Sequence, residues 1–215
     1  MVKLRLKSQA LPGTAWIAAC LVGTYLAMSY DFTPGKLGPQ RTGWPMETDY
    51  SYSGILMEPP TKTTVLAFLH PRCACTRATV KQLVKTLEAH PGADLIVPVF
   101  TPLAGADQQA WEHSEYVKTI RAAIPNATII WDRGGIQAWR FGALTSGTIL
   151  VYDGRGQELF RGGITDRRGG ERENLGLERL ARLLAGEQVA EAAPTPVFGC
   201  PLVAPAQQPK MEAEK

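Results

Sequence analysis

Residues 63–77 read TTVLAFLHPRCACTR. The first eight, Thr63 to His70, are apolar and rich in β-formers, the pattern of a buried strand. Pro71 stops it. Two cysteines follow at once, Cys73 and Cys75, and then a stretch in which Val80, Leu83, Val84 and Leu87 recur at helical spacing. A helix is predicted from about Cys75 to His90, ended by Pro91-Gly92. A cysteine pair therefore stands where a buried strand turns into an amphipathic helix. The unpaired N–H groups of a helix start stabilise an anion. A thiol held there has a lowered pKa, and its thiolate is a nucleophile.

Downstream, strands and helices alternate. DLIVPVF (Asp94 to Phe100) reads as a strand, with Pro98 pointing to an edge or a bulge. A helix is expected from Asp107 to Ile124 with Val117, Ile120 and Ile124 inward. ATIIW (Ala127 to Trp131) is a third strand and Gly135 to Phe141 a short helix. TILVY (Thr148 to Tyr152), the turn Asp153-Gly154 and Gln157 to Arg161 form a hairpin. A last helix runs from Arg172 to Leu184. The order β-α-β-α-β-α-β-β-α requires an α/β fold with a mixed central sheet flanked by helices.

Toward the N-terminus, Lys3, Arg5 and Lys7 precede Leu11 to Tyr30, a run without a charged side chain. At about 1.5 Å per residue such a helix crosses a ~30 Å hydrocarbon core. Basic residues ahead of it stay in the cytoplasm. The expectation is a single-pass anchor in a bacterial inner membrane, with residues 1–10 cytoplasmic, 11–30 in the bilayer and the C-terminal domain in the periplasm. The competing reading is a signal peptide cleaved near Ala27-Met28-Ser29. Cys20 lies inside this run and reads as an apolar filler. Residues 31–60 hold nine prolines and glycines from Pro34 to Pro60 and are expected to be a linker. The globular domain is placed at 61–186, and 187–215 form a tail interrupted by the apolar island VFGCPL around Cys200.

Composition agrees with one globular domain plus appendages: 215 residues, 45% hydrophobic and 20% charged. The three basic residues ahead of the apolar run account for the whole formal charge of +3. The remainder is balanced, which argues against nucleic acid as a partner. No phosphate loop, Ser-His-Asp order or zinc-type spacing stands out.

The element order, and a cysteine pair at the first strand-to-helix junction, resemble the thioredoxin-like superfamily from about Thr61 to Ala185. Aligned on the strand, Cys73 takes the first position of the family's Cys-x-x-Cys and Thr76 the second, with Cys75 one residue early. The proline that thioredoxins place before the fourth strand, opposite the cysteines, is replaced by Gly147 in Ser146-Gly147-Thr148. Within that superfamily HPRCACTRA, RFGALTSG, RGGIT with ERENLG, and VFGCPL resemble the small membrane-anchored bacterial RedB-type branch.

Three functions compete. In the first, a thiol–disulfide oxidoreductase acts on periplasmic protein thiols and disulfides: Cys73 attacks and Cys75 or Cys200 resolves. In the second, copper is bound by Cys73, Cys75 and either His70 or Cys200, for delivery to a respiratory metalloenzyme; two thiolates suit a soft metal. In the third, the domain keeps the fold as a silent interaction module. Cys200 is expected near the pair, as a resolving thiol or third ligand. His70 is a candidate base or ligand, and Asp132 a helix cap or proton carrier.

Overall fold

The protein is described from a computed structural model covering residues 10–40, 43–45, 57–102, 111, 113–189 and 193–203. Two units are distinct. Residues 1–33 contain one described element, α1 (Ala10–Phe32). From Gly13 to Phe32 it is long and apolar enough to cross a membrane, and its large apolar side chains from Trp16 to Phe32 are exposed.

The second unit holds a five-stranded sheet in the order β3-β2-β1-β4-β5: β1 (Thr64–Phe68), β2 (Asp94–Thr101), β3 (Thr128–Arg133), β4 (Thr148–Tyr152) and β5 (Glu158–Gly162). β1, β2 and β3 are parallel neighbours. β4 and β5 run antiparallel as a hairpin that joins the sheet through β1. The helices named among the described residues are α2 (Thr76–Ala89), α3 (Glu115–Ala123), α4 (Ile136–Arg140) and α5 (Leu175–Leu184). The mixed sheet is the one expected. Within the expected helix 107–124, Trp111 is helical, residues 113–114 break the helix, and α3 starts at Glu115. α5 starts later than its periodicity suggests. Ser114 and Asn174 cap them, each side chain accepting a first-turn N–H, from Tyr116 and Leu177. The expected helix segment at 107–110 and residue 112 lie outside the described residues.

Alternation in β1 builds two cores. Val65, Ala67 and Leu69 face Val80, Leu83, Leu87, Ile120 and Leu180 on the α2, α3 and α5 side. Leu66 and Phe68 face Leu150, Tyr152, Ile130 and Phe141 on the other side. β1 is buried at every position, which is why its sequence shows no polar alternation.

Two expectations need correction. Pro98 lies neither on an edge nor at a bulge. β2 is flanked by β1 and β3, and its register to β1 is unchanged on either side of the proline. The missing N–H interrupts the ladder instead. Pairing runs from Thr64–Asp94 to Leu66–Ile96, and contact resumes at Leu69–Val99, where the Leu69 N–H donates to the Pro98 carbonyl at 3.0 Å.

Nor are the described residues of 34–60 a free tether. Gly35 and Gly38 donate backbone N–H groups to the carbonyls of Val197 and Gly142, each at 2.8 Å. Trp44 is buried with Met57. Its ring meets Phe141 and Tyr152 edge-on at 5.0 Å, and its Nε1–H donates to the Met57 carbonyl. The segment closes the second core, a role without periodicity to betray it.

Asp132 at the end of β3 is a cap. Its carboxylate accepts the N–H groups of Gln137 at 2.8 Å and Ala138 at 2.9 Å in the first turn of α4. Burial nevertheless pushes its pKa up to about 6, against the pull of those amides. A folded pKa above the unfolded value means the folded state holds the proton more tightly. The contribution to stability is then greatest below about pH 4 and declines as pH rises toward 6. Unfolding titrations should show a decline of about 2–3 kcal/mol that Asp132→Asn flattens; identical pH profiles for both proteins would contradict this assignment.

Candidate active site

Cys73 leaves β1 through a tight turn: its N–H donates to the His70 carbonyl at 3.1 Å, and its own carbonyl accepts the Thr76 N–H at 3.0 Å. Cys75 sits at the N-cap of α2 with helical dihedrals and no side-chain cap bond. This geometry aims the helix start at one sulfur. The backbone N–H groups of Cys75 and Thr76 point at the Cys73 thiol, joined by the N–H and the thiol of Cys200. Burial opposes ionisation of Cys73, but these four donors outweigh it and hold its pKa below the ordinary thiol value.

The neighbouring thiols move the other way. Burial pushes Cys75 up, as does the negative charge on Cys73; Arg168 pulls it partly back. Cys200 is pushed up to about 12 by burial and by the Cys73 sulfur it donates to. Three thiols thus share one site with unequal acidity: Cys73 is the one held below the ordinary thiol value, while Cys75 and Cys200 are pushed above it. Cys20 belongs to the other unit and is exposed.

The opposite wall is residues 145–147. The Ser146 hydroxyl accepts the His70 N–H at 2.9 Å and bonds the Thr76 hydroxyl at 2.9 Å. The Gly147 N–H donates to the Phe68 carbonyl at 2.8 Å. Gly147 has φ +91°, which only glycine adopts without strain, so it is more than a passive substitute for proline. Thr76, in the family's second-cysteine position, serves as a polar strut: its hydroxyl also donates to the His70 carbonyl at 3.1 Å.

Three further residues fall into place here. The His70 ring packs among aromatic side chains. It stacks on Phe100 at 5.2 Å, meets Trp111 edge-on at 5.5 Å, and its Nδ1 accepts the Arg72 N–H at 3.2 Å. Burial lowers its pKa, so it is neutral near pH 7. Arg72 lies over the Trp111 ring at 4.2 Å. The arginine that does act on the thiols is Arg168, from the loop after β5, which sequence reading passed over. Nothing in its local pattern marks it: it lies far along the chain and reaches the site only through the fold. Tyr116 of α3 was also missed; burial and the charge on Cys73 raise its pKa.

Among the described residues no group of three or more His, Cys, Asp or Glu side chains is arranged to hold a metal ion.

No family model matches this chain, and no curated protein does. Solved structures do. An uncharacterized conserved protein from Geobacillus kaustophilus is 19% identical, with a TM-score of 0.53 over 80% of this chain and 93% of its own. A hypothetical protein from Sinorhizobium meliloti is 18% identical, with a TM-score of 0.50 over 79% and 93%. A secreted disulfide oxidoreductase of Mycobacterium tuberculosis aligns at a TM-score of 0.40 and 17% identity, over 60% and 84%. Likeness at this level is likeness of fold. The strand order, the mixed pairing and the position of the cysteines at the mouth of α2 show that the domain has the thioredoxin-like fold.

Proposed function

We propose that the chain is a thiol–disulfide oxidoreductase, held at a membrane by α1, with Cys73 as nucleophile and Cys200 as its redox partner. The observation that carries this reading is the convergence of three backbone N–H groups and one thiol on the Cys73 sulfur. A structural cysteine in a core has no such donors and a raised pKa.

The chemistry follows from the unequal acidity of the thiols. The Cys73 thiolate attacks a partner disulfide; a bond forms between Cys73 and one partner sulfur, and the other leaves as a thiolate. Cys73 then carries no charge, so the part of the Cys200 shift that its sulfur supplies vanishes; burial still opposes ionisation of Cys200, and Arg168 favours its thiolate. Cys200 loses its proton to solvent and attacks the Cys73 sulfur, and the second partner sulfur leaves. The partner disulfide gains two electrons, and Cys73 and Cys200 become a disulfide. The reverse sequence oxidises a partner dithiol.

The basic residues before α1 support a domain on the outer side of the membrane, where protein disulfides persist. Peptide mapping of the oxidised protein tests the pairing: Cys73–Cys200 is expected to be the major bridge. A Cys73–Cys75 bridge in its place would transfer the resolving role to Cys75.

A further inference from the structure

A nucleophile has to reach its partner's disulfide, yet Cys73 is only 1% exposed. The chain's own tail supplies two of the four groups on its sulfur. The tail arrives as an extended segment. Thr195 forms a parallel bridge with Gly162 at the edge of β5, and its N–H donates to the Arg161 carbonyl at 3.2 Å. The chain then crosses to the wall opposite the thiols. There the Ser146 N–H donates to the Cys200 carbonyl at 2.8 Å and the Leu202 N–H to the Leu144 carbonyl at 2.9 Å, with Thr145 and Pro201 in an antiparallel bridge. Arg168 Nη1 donates to the Gly199 carbonyl at 2.7 Å. Val197, Phe198 and Leu202 are buried. Gly199 is pressed so closely on the wall that a Cβ would lie 2.0 Å from the Ser146 carbonyl oxygen.

This is strand addition to a backbone edge, with a cysteine delivered to a nucleophilic sulfur. We propose that residues 195–203 are an internal strap filling the place of a partner's extended, cysteine-bearing segment, and that protein partners reach Cys73 only when the strap is displaced. The strap also describes the partner it stands in for. The residue before its cysteine is glycine, where the wall leaves no room for a side chain, and apolar residues two positions to either side, Phe198 and Leu202, fill pockets. The partner's name for this purpose is an extended peptide of that pattern on an exported protein. The inference rests on the redox reading of Cys73 given above. A Cys73–Cys200 disulfide, formed with a partner disulfide as oxidant, locks the strap down; reduction by an external dithiol frees it.

Gly199→Ala in the full-length chain tests the strap, because the added methyl group meets backbone and no cysteine is changed. With all thiols reduced, a bulky polyethylene-glycol maleimide should modify Cys73, located by peptide mass, at least about tenfold faster in the variant than in the wild type. Arg168→Ala, which removes one anchoring hydrogen bond, should give a smaller acceleration and serves if the alanine variant does not fold. A synthetic copy of residues 196–203 with serine replacing its cysteine should bind Gly199→Ala and not the oxidised wild type. Equal alkylation rates in wild type and both variants, or equal peptide binding to the locked and released forms, would overturn the strap. Alkylation requires no turnover. A protein that passes these tests but exchanges no disulfides would therefore overturn the redox reading alone.

Discussion

Replacing Cys73 with serine is expected to abolish reduction of protein disulfides, a loss of at least ~10³-fold, with the melting temperature little changed. The donors around this position are set to hold a sulfur anion, and a hydroxyl stays protonated in the same surroundings. Cys75→Ser should cost far less, within about tenfold, since Cys75 contributes its backbone N–H whatever its side chain. Cys200→Ala adds a signature that simple misfolding would not produce. The Cys200 thiol is the strongest of the groups that lower the Cys73 pKa. In the wild type, alkylation of Cys73 by a small reagent should rise with pH and level off below the ordinary thiol pKa; the alanine variant should level off at higher pH. Superimposable pH profiles, or full activity in Cys73→Ser, would remove Cys73 from the mechanism.

Arg161→Ala should destabilise the domain by about 3–5 kcal/mol. Arg161 and Glu158 are an ion pair with both side chains 2% exposed. The guanidinium bonds both Glu158 oxygens, Nε to Oε1 at 2.9 Å and Nη2 to Oε2 at 2.5 Å. Its Nη1 donates to the Phe141 carbonyl at 2.9 Å, and the Tyr152 hydroxyl completes the carboxylate at 3.2 Å. Truncation leaves a buried carboxylate without its cation and a carbonyl without its donor, the expensive half of a buried pair. For a domain of this size the loss corresponds to a fall in Tm of about 6–20 °C. The surface pair Lys62–Asp94, exposed on both sides, should yield well under about 1 kcal/mol when broken. Thermal melts of the two variants check the contrast, and a loss below about 1 kcal/mol for Arg161→Ala would show that the pair is not holding β5 to the core. Because Thr195 bonds the backbone of Arg161 and Gly163, the same variant should also loosen the tail over Cys73.

Periodicity carried the fold. Val80, Leu83 and Leu87 face one core because their spacing matches a helix, and the strands of TVLAF, TIIW and TILVY are apolar because both faces of the sheet are covered. Such signals are local, and each can be read from a short window of sequence. The same holds for Cys73: the end of a buried strand and the start of a helix are adjacent in the chain, so the sulfur and its helix-end donors are specified together. Trp44, Arg168 and the wall at residues 144–147 left no such trace. They come from irregular segments, where no spacing betrays which way a side chain points.

The cysteine pair illustrates the division. Sequence alone determined that Cys73 stands at a helix mouth, that Cys75 is out of place for the usual motif, and that an apolar island carries a third thiol in the tail. Only the tertiary structure decided which thiol lies against Cys73. Backbone hydrogen bonds between the tail and residues 144–146 bring Cys200 to a sulfur far away in sequence, and their contact lowers the pKa of Cys73 and raises that of Cys200. The packing of an irregular segment on a distant loop depends on shape and on unpaired backbone groups, and those exist only once the chain has folded.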